Sequence, residues 1–446
     1  MPRPLEDSVS MSTKLISVVL LGFAALAVAG LGGSYLVPLD HEAIQYAKRP
    51  VRDPVHVLGD RIAKGEVKLE FDETHGYLRG LLKALEVPIE SQVLVFSKTS
   101  FQAALISPRR PRALYHNERV AVGSVRGSDV LELASQDPQL GTIFYTLDNE
   151  KVERPRFQRR DDACLQCHQS GATLGVPGLV VRSVYPGPSG MPMFQAGGSI
   201  TDHRSPLKQR WGGWYVTGTH GSMTHMGNAV VRDPDHPEKL GDRTTLDVKD
   251  LSQKFDTGAY LTPHSDIVSL MTLEHQTHMS NLITRVSFET LMALNYQAVL
   301  NHALGAPASD NSESMRHRID SAVEEMVEYM LFTDEAPLEG PVRGTADFAR
   351  VFSQQGPRDK QGRSLRDFDL EKRLFRYPLT YMIYSEAFDS MPAAALDRIY
   401  RKLYDVLTGE AKNPNFARLR ESDRRAIYEI LLETKGNLPP YWRVNH

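Results

Sequence analysis

The chain has 446 residues, 41% of them hydrophobic and 24% charged, which is enough apolar material for a large core and too much for a disordered chain. Lys and Arg number 52 against 55 Asp and Glu, a net of -3, so there is no global basic field with which to hold nucleic acid. Only two cysteines are present, which excludes a multi-disulfide scaffold and any zinc site built on three or four thiolates.

The first element in the chain is an uncharged run of 23 residues, Leu15 to Val37, preceded by Lys14 and followed by Asp40 and Glu42. A run of about 20 apolar residues can span a bilayer, while Ala27-Val28-Ala29 offers the small-residue pattern of a signal-peptidase site. Residues 1–37 therefore read as a signal peptide or a transmembrane anchor. Lys14 ahead of the run places the bulk of the chain on the outer side of the membrane. The protein is then anchored facing the periplasm, or periplasmic and exported if the signal is cleaved. Residues 38–90 are polar and irregular apart from a short helix near Val57–Ala63, and read as a stalk or linker.

Residues 91–262 form a β-rich segment. Between Gln92 and Leu147 the runs VLVFS, ALYHNERVAVGSV, VLEL and GTIFYTL are rich in β-branched and aromatic residues and broken by turn residues, predicting four or more strands. Prolines at 177, 186, 188 and 192 forbid a long helix there and leave loops with short strands such as LVVRSVY.

Within this segment Asp161 to Gly171 reads DDACLQCHQSG and contains Cys164-Leu165-Gln166-Cys167-His168, a C-x-x-C-H spacing. Asp161 and Asp162 are suited to cap a short helix and Gly171 to stop it. A thioredoxin-like pair would need a βαβ pattern that is not apparent, and a zinc site would need two further ligands from elsewhere. The motif resembles that of the c-type cytochromes, and the resemblance is confined to it. What it implies is one covalent haem c, with Cys164 and Cys167 adding to the haem vinyl groups and His168 as the proximal iron ligand.

The other iron ligand is not unique in the sequence. Met191 and Met193 lie in PSGMPMFQ, and His220, Met223, His225 and Met226 lie in HGSMTHMGN. His275 stands on an apolar helical stripe with Val268, Met271, Met279, Leu282 and Val286. The order of expectation is His275, then His225, then Met226, with an open sixth position as the remaining alternative. Arginines 154, 156, 159 and 160, and 109, 110 and 112, are candidates to face the haem propionates. Trp211, Trp214 and Tyr215 suit either a haem wall or the core.

Beyond Pro263 the pattern turns helical, so 263–446 reads as a helical segment. Stretches run from about Ser265 to Leu304, Ser314 to Phe332, Thr345 to Gln354, Asp369 to Phe388, Pro392 to Thr408 and Ser422 to Thr434. The expected class is α+β, with the helix carrying His275 bridging the two segments. The functional expectation is a membrane-anchored or exported monohaem electron carrier that serves redox partner proteins. The alternative is a haem enzyme of peroxidase type, or a haem-based sensor, with an open or displaceable distal position and Glu274, His275 or His278 as acid/base. No P-loop, H-E-x-x-H or G-x-S-x-G signature supports kinase or hydrolase chemistry.

Overall fold

Alternating apolar residues build the central sheet. Strands β1 (Val93–Val95), β2 (Arg112–His116), β3 (Val120–Val125), β4 (Val130–Asp137), β5 (Gly141–Asp148), β6 (Phe157–Arg159) and β9 (Trp214–Tyr215) form one antiparallel sheet in the order β6-β5-β4-β3-β2-β1-β9. Two small ribbons pair β7 (Val181–Val184) with β8 (Gly198–Thr201) and β10 (Gly218–Thr219) with β11 (Arg343–Gly344). This computed structural model describes residues 35–240, 246–307, 311–411 and 413–443. The apolar run up to residue 34 lies outside them, and with it the expectation of a signal or anchor. Among the described residues no helix is long and apolar enough to cross a membrane.

The described helices are α1 (Pro54–Ala63), α2 (Leu78–Ala84), α3 (Asp161–His168), α4 (Ile267–Leu304), α5 (Glu313–Met330), α6 (Phe348–Ser353), α7 (Glu386–Asp389), α8 (Ala393–Thr408) and α9 (Glu421–Thr434). The fold is mixed α+β. The helix expected over Asp369–Phe388 is the main departure. Asp369 instead folds a turn, accepting the amides of Glu371 and Lys372, and the only helical pieces there are a 3-10 turn at Tyr381–Tyr384 and α7. Pro378 cannot donate the amide that a continuous helix needs at its position.

Because strand side chains alternate, each face of the sheet has its own cover. One face, with Leu94, Tyr115, Val122, Leu133, Ile143 and Leu147, packs against residues expected to be a stalk. Val37, Ile44, Tyr46, Val55, Leu58, Ile62, Leu69, Tyr77, Leu81 and Leu82 are all buried in that core. The stalk expectation for 38–90 is therefore corrected: the segment is the back layer of the sheet. Asp53 pins it, capping α1 through the amides of Val55 and His56 and accepting the Tyr145 hydroxyl at 2.6 Å.

The opposite face, through Val93, Val95 and Trp214, shares a core with the helices. The boundary expected at residue 262 is therefore not a break between independent cores. Trp211, Trp214 and Tyr215 are buried core residues, and Trp214 Nε1 donates to the Arg182 carbonyl at 2.8 Å. Helix α4, capped by Asp266 through the amides of Val268 and Ser269, bridges the layers as expected. His116 of β2 meets Ser269 at 2.8 Å, and Gln276 donates to the Asn117 carbonyl at 2.8 Å.

Candidate functional site

Helix α3 leaves the edge of the sheet directly after β6, and the Arg160 amide donates to the Phe144 carbonyl of β5 at 2.9 Å. Asp161 and Asp162 occupy its first turn rather than its cap, which is Arg160, so they act on the helix dipole and not by side-chain capping. The helix ends at His168, and Gly171 opens the following 3-10 turn. Cys164, Cys167 and His168 stand at positions i, i+3 and i+4 of one helix, so the three share a face. Cys164 is half-buried, Cys167 is exposed, and no disulfide joins them.

Burial pushes the Cys164 thiol above its ordinary range, with the Glu132 carboxylate adding to the shift and Arg160 and Arg112 opposing it. A nucleophilic dithiol needs the opposite shift, toward thiolate. The shift on Cys164 gives the thioredoxin-like alternative no support.

His168 is held twice by Gly178. The Gly178 amide donates to the His168 carbonyl at 2.9 Å, and His168 Nδ1 lies 2.9 Å from the Gly178 carbonyl oxygen. A carbonyl only accepts, so Nδ1 carries the proton and Nε2 keeps its lone pair for a ligand. Desolvation lowers the imidazole pKa, which favours the neutral form an iron requires. The ring lies against Phe144, with centroids 4.8 Å apart.

Gly178 is in turn fixed by α4. Asn281 accepts the Leu179 amide at 3.2 Å and donates to the Leu179 carbonyl at 2.8 Å, and a Cβ on Gly178 would fall 2.0 Å from Asn281 Oδ1. Asn281 is therefore a positioning residue for His168 that the sequence reading passed over. We expect Asn281→Ala to cost about 1–3 kcal/mol through the two lost amide contacts. If the haem that the motif implies is bound, the substitution should also alter the ligand-sensitive part of its absorption spectrum. Urea unfolding and optical spectra check both, and an unchanged spectrum would contradict the positioning role.

The sheet face beside α3 carries a charge pair that strand geometry alone would not reveal. Arg112 of β2 crosses over Gly123 of β3 to pair with Glu132 of β4, and a Cβ on Gly123 would meet the guanidinium at 2.5 Å. Of the arginines expected near propionates, Arg112 and Arg160 act electrostatically on Cys164. Arg159 is committed to Asp161 and the Tyr46 carbonyl, and Arg154 to the Ala63 carbonyl.

The distal candidates are not presented by the structure as free ligands. His275 is fully buried, with Nδ1 2.9 Å from His203 Nδ1 and Nε2 2.8 Å from the Thr380 hydroxyl, and it stacks on Tyr329 and Phe332. Both ring nitrogens are engaged, so the first-ranked candidate is a satisfied core histidine. His225 Nδ1 accepts the Gly227 amide at 3.0 Å and the ring packs on His220 and Trp211. The Met226 sulfur, half-buried, is 3.6 Å from the Ser183 hydroxyl. His225 and Met226 thus lie in one loop, which is tied to the polar cluster around His275 by the Met226 amide donating to the Arg210 carbonyl at 2.9 Å.

That cluster is larger than the sequence indicated. Arg210 donates to Glu274 at 2.9 Å, to the Ser205 carbonyl at 2.8 Å and to the His203 carbonyl at 3.1 Å, and Glu274 and Arg210 are almost wholly buried. Asp202 pairs with Arg204, which also reaches His278 at 3.1 Å. The sequence reading named Glu274, His275 and His278 of this cluster and missed Asp202, His203, Arg204 and Arg210. Among the described residues no group of three or more His, Cys, Asp or Glu side chains is arranged to hold a metal ion. A porphyrin brings four nitrogens of its own and asks the chain only for axial ligands.

These buried groups set a pH dependence. Desolvation raises Glu274 and Glu335 from 4.5 to about 7, a contribution to stability that is present at low pH and lost as pH rises from about 4.5 to 7. Desolvation lowers His116 and His278 from 6.5 to about 4 and His225 and His275 to about 3, with His203 well below its ordinary value. Their contribution is present above about pH 6.5 and lost on acidification, because the unfolded chain takes up protons that the native chain refuses. Five histidines against two carboxyls make the balance acid-labile. The urea midpoint should fall between pH 7 and pH 5, and a flat or rising profile there would contradict the buried-neutral assignment.

No protein-family model matches the chain, and no significant match is found among curated proteins or among solved structures.

Proposed function

We propose that this chain is an exported or membrane-anchored monohaem c-type cytochrome, which holds haem c through Cys164 and Cys167 and passes electrons between redox partner proteins. The observation that carries the reading is the single face of α3, on which both thiols stand beside a His168 whose Nε2 is kept available by the Gly178 carbonyl. When bound, the haem supplies the one-electron iron couple. The residues of this chain attach it, fix the proximal imidazole, and set its surroundings. The carbonyl accepting from Nδ1 makes Nε2 a stronger donor, Phe144 shields the ring from water, and Arg160, which acts electrostatically on Cys164, is the arginine suited to face a propionate.

A second reading, a haem enzyme of peroxidase type or a haem-based sensor with an open or displaceable distal position, is favoured by the engagement of both His275 nitrogens within the protein. Carbon monoxide separates the two. The protein made with haem-maturation machinery is reduced and exposed to the gas. An unchanged spectrum supports two protein ligands and electron transfer, with His225 or Met226 opposite His168. A shifted spectrum overturns the carrier reading in favour of the second.

A further inference from the structure

The apolar run of the N-terminus reaches the described body at Tyr35 to Val37, and it does so on α4. The Tyr35 hydroxyl bonds Glu289 and receives Arg318 at 2.8 Å, while the Arg285 guanidinium lies over the Tyr35 ring at 4.2 Å. Val37, the last residue of the run, is buried, and its amide donates to the Gly175 carbonyl at 2.9 Å. Gln169, next to His168, donates to the Val37 carbonyl at 2.7 Å. The chain is therefore held at Val37 beside the end of α3, and the uncharged stretch Leu15–Ser34 precedes that point in the sequence.

Helix α4 continues past this point. Arg285, Glu289, Met292 and Tyr296 follow one another at steps of four, three and four, so they lie along one face. That face is buried at Met292 and Ala293, but from the next turn it is uncovered: Tyr296 is 65% exposed, Val299 57% and Leu304 71%. Steps of three and five residues spread these over about 140° of the helix circumference, a broad apolar face centred near Tyr296. At 1.5 Å per residue the face begins about 10 Å beyond Glu289 along the axis and ends about 22 Å beyond it.

We propose that this uncovered face of α4, from Tyr296 to Leu304, rests in the surface of the lipid bilayer that the N-terminal apolar segment enters. The inference rests on that segment being retained as an anchor. Three apolar side chains of this size would be a liability in water, and a tyrosine among them suits the membrane interface. The occupant is argued from where the apolar segment joins the body, on the same helix face and two turns away. Such a contact would hold α3 close to the membrane and present the haem to partners embedded in it or lying on it.

The test uses the full chain reconstituted into phosphatidylcholine vesicles with or without brominated acyl chains. The three native tryptophans are buried, so a tryptophan introduced by Leu304→Trp reports its own surroundings. Brominated lipid should quench its emission about twofold, because interfacial side chains sit roughly 5–10 Å into the headgroup and acyl boundary. Val152→Trp, at an exposed position on the loop next to Tyr77 in the back layer, should be unaffected. Vesicle-bound protein whose L304W signal is unquenched, or quenched no more than that of V152W, overturns the inference and leaves the anchor reading standing. Unquenched L304W in a chain that also dimerises assigns the face to a second copy and overturns it equally. Failure of the full chain to float with the vesicles overturns the anchor and the inference together.

Discussion

On the proposed reading, His168→Ala is expected to leave a polypeptide that still carries haem through its thioethers but has lost the proximal ligand, with the wild-type spectrum replaced by that of a misligated iron. The physical reason is that the Gly178 carbonyl prepares only this imidazole, fixing its tautomer and its direction. Exogenous imidazole should restore part of the spectrum by entering the space the ring has left. Spectra of the variant with and without imidazole check this. A wild-type spectrum in the variant would mean that another residue is the proximal ligand.

The second large effect belongs to the buried Arg210–Glu274 pair. Arg210 is 2% exposed and makes three charge-assisted contacts inside the helical core. Arg210→Ala strands a buried carboxyl and two backbone carbonyls, and should cost about 3–5 kcal/mol in unfolding free energy. Glu274→Gln should cost less, because burial raises that carboxyl's pKa and an amide oxygen can still accept from Arg210. Replacing both partners by apolar residues of similar volume should recover most of the loss. Urea unfolding at pH 7 measures all three, and an Arg210→Ala cost below about 1 kcal/mol would contradict the structural role assigned to the pair.

What could be read in the sequence was what depends on local pattern. The β-branched and aromatic runs VLEL and GTIFYTL, bounded by turn residues, predicted β4 and β5, and the apolar period after Asp266 predicted α4 to within a few residues. The C-x-x-C-H residues also needed only local spacing, since one helical turn brings them to a common face. Long-range packing was not legible. Ile44, Tyr46, Leu58 and Leu69 are spread among polar residues at no regular period, yet they cover the back of the sheet through contacts with strands that follow them in the chain. His275 illustrates the converse. Its place on an apolar stripe was correctly read, but the stripe faces Tyr329, Phe332 and Thr380, which come from segments the period of α4 cannot identify. Asn281 was missed because its role is to hold a peptide 102 positions away.

The central claim is covalent attachment of one haem by Cys164 and Cys167. The most direct measurement is the mass of the intact polypeptide under denaturing conditions, for the wild-type chain and for the Cys164→Ala/Cys167→Ala double variant, each made with haem-maturation machinery. The account predicts a wild-type chain heavier than its sequence by one haem and a double variant that carries none. A wild-type mass without haem, or haem that survives denaturation in the double variant, would contradict it.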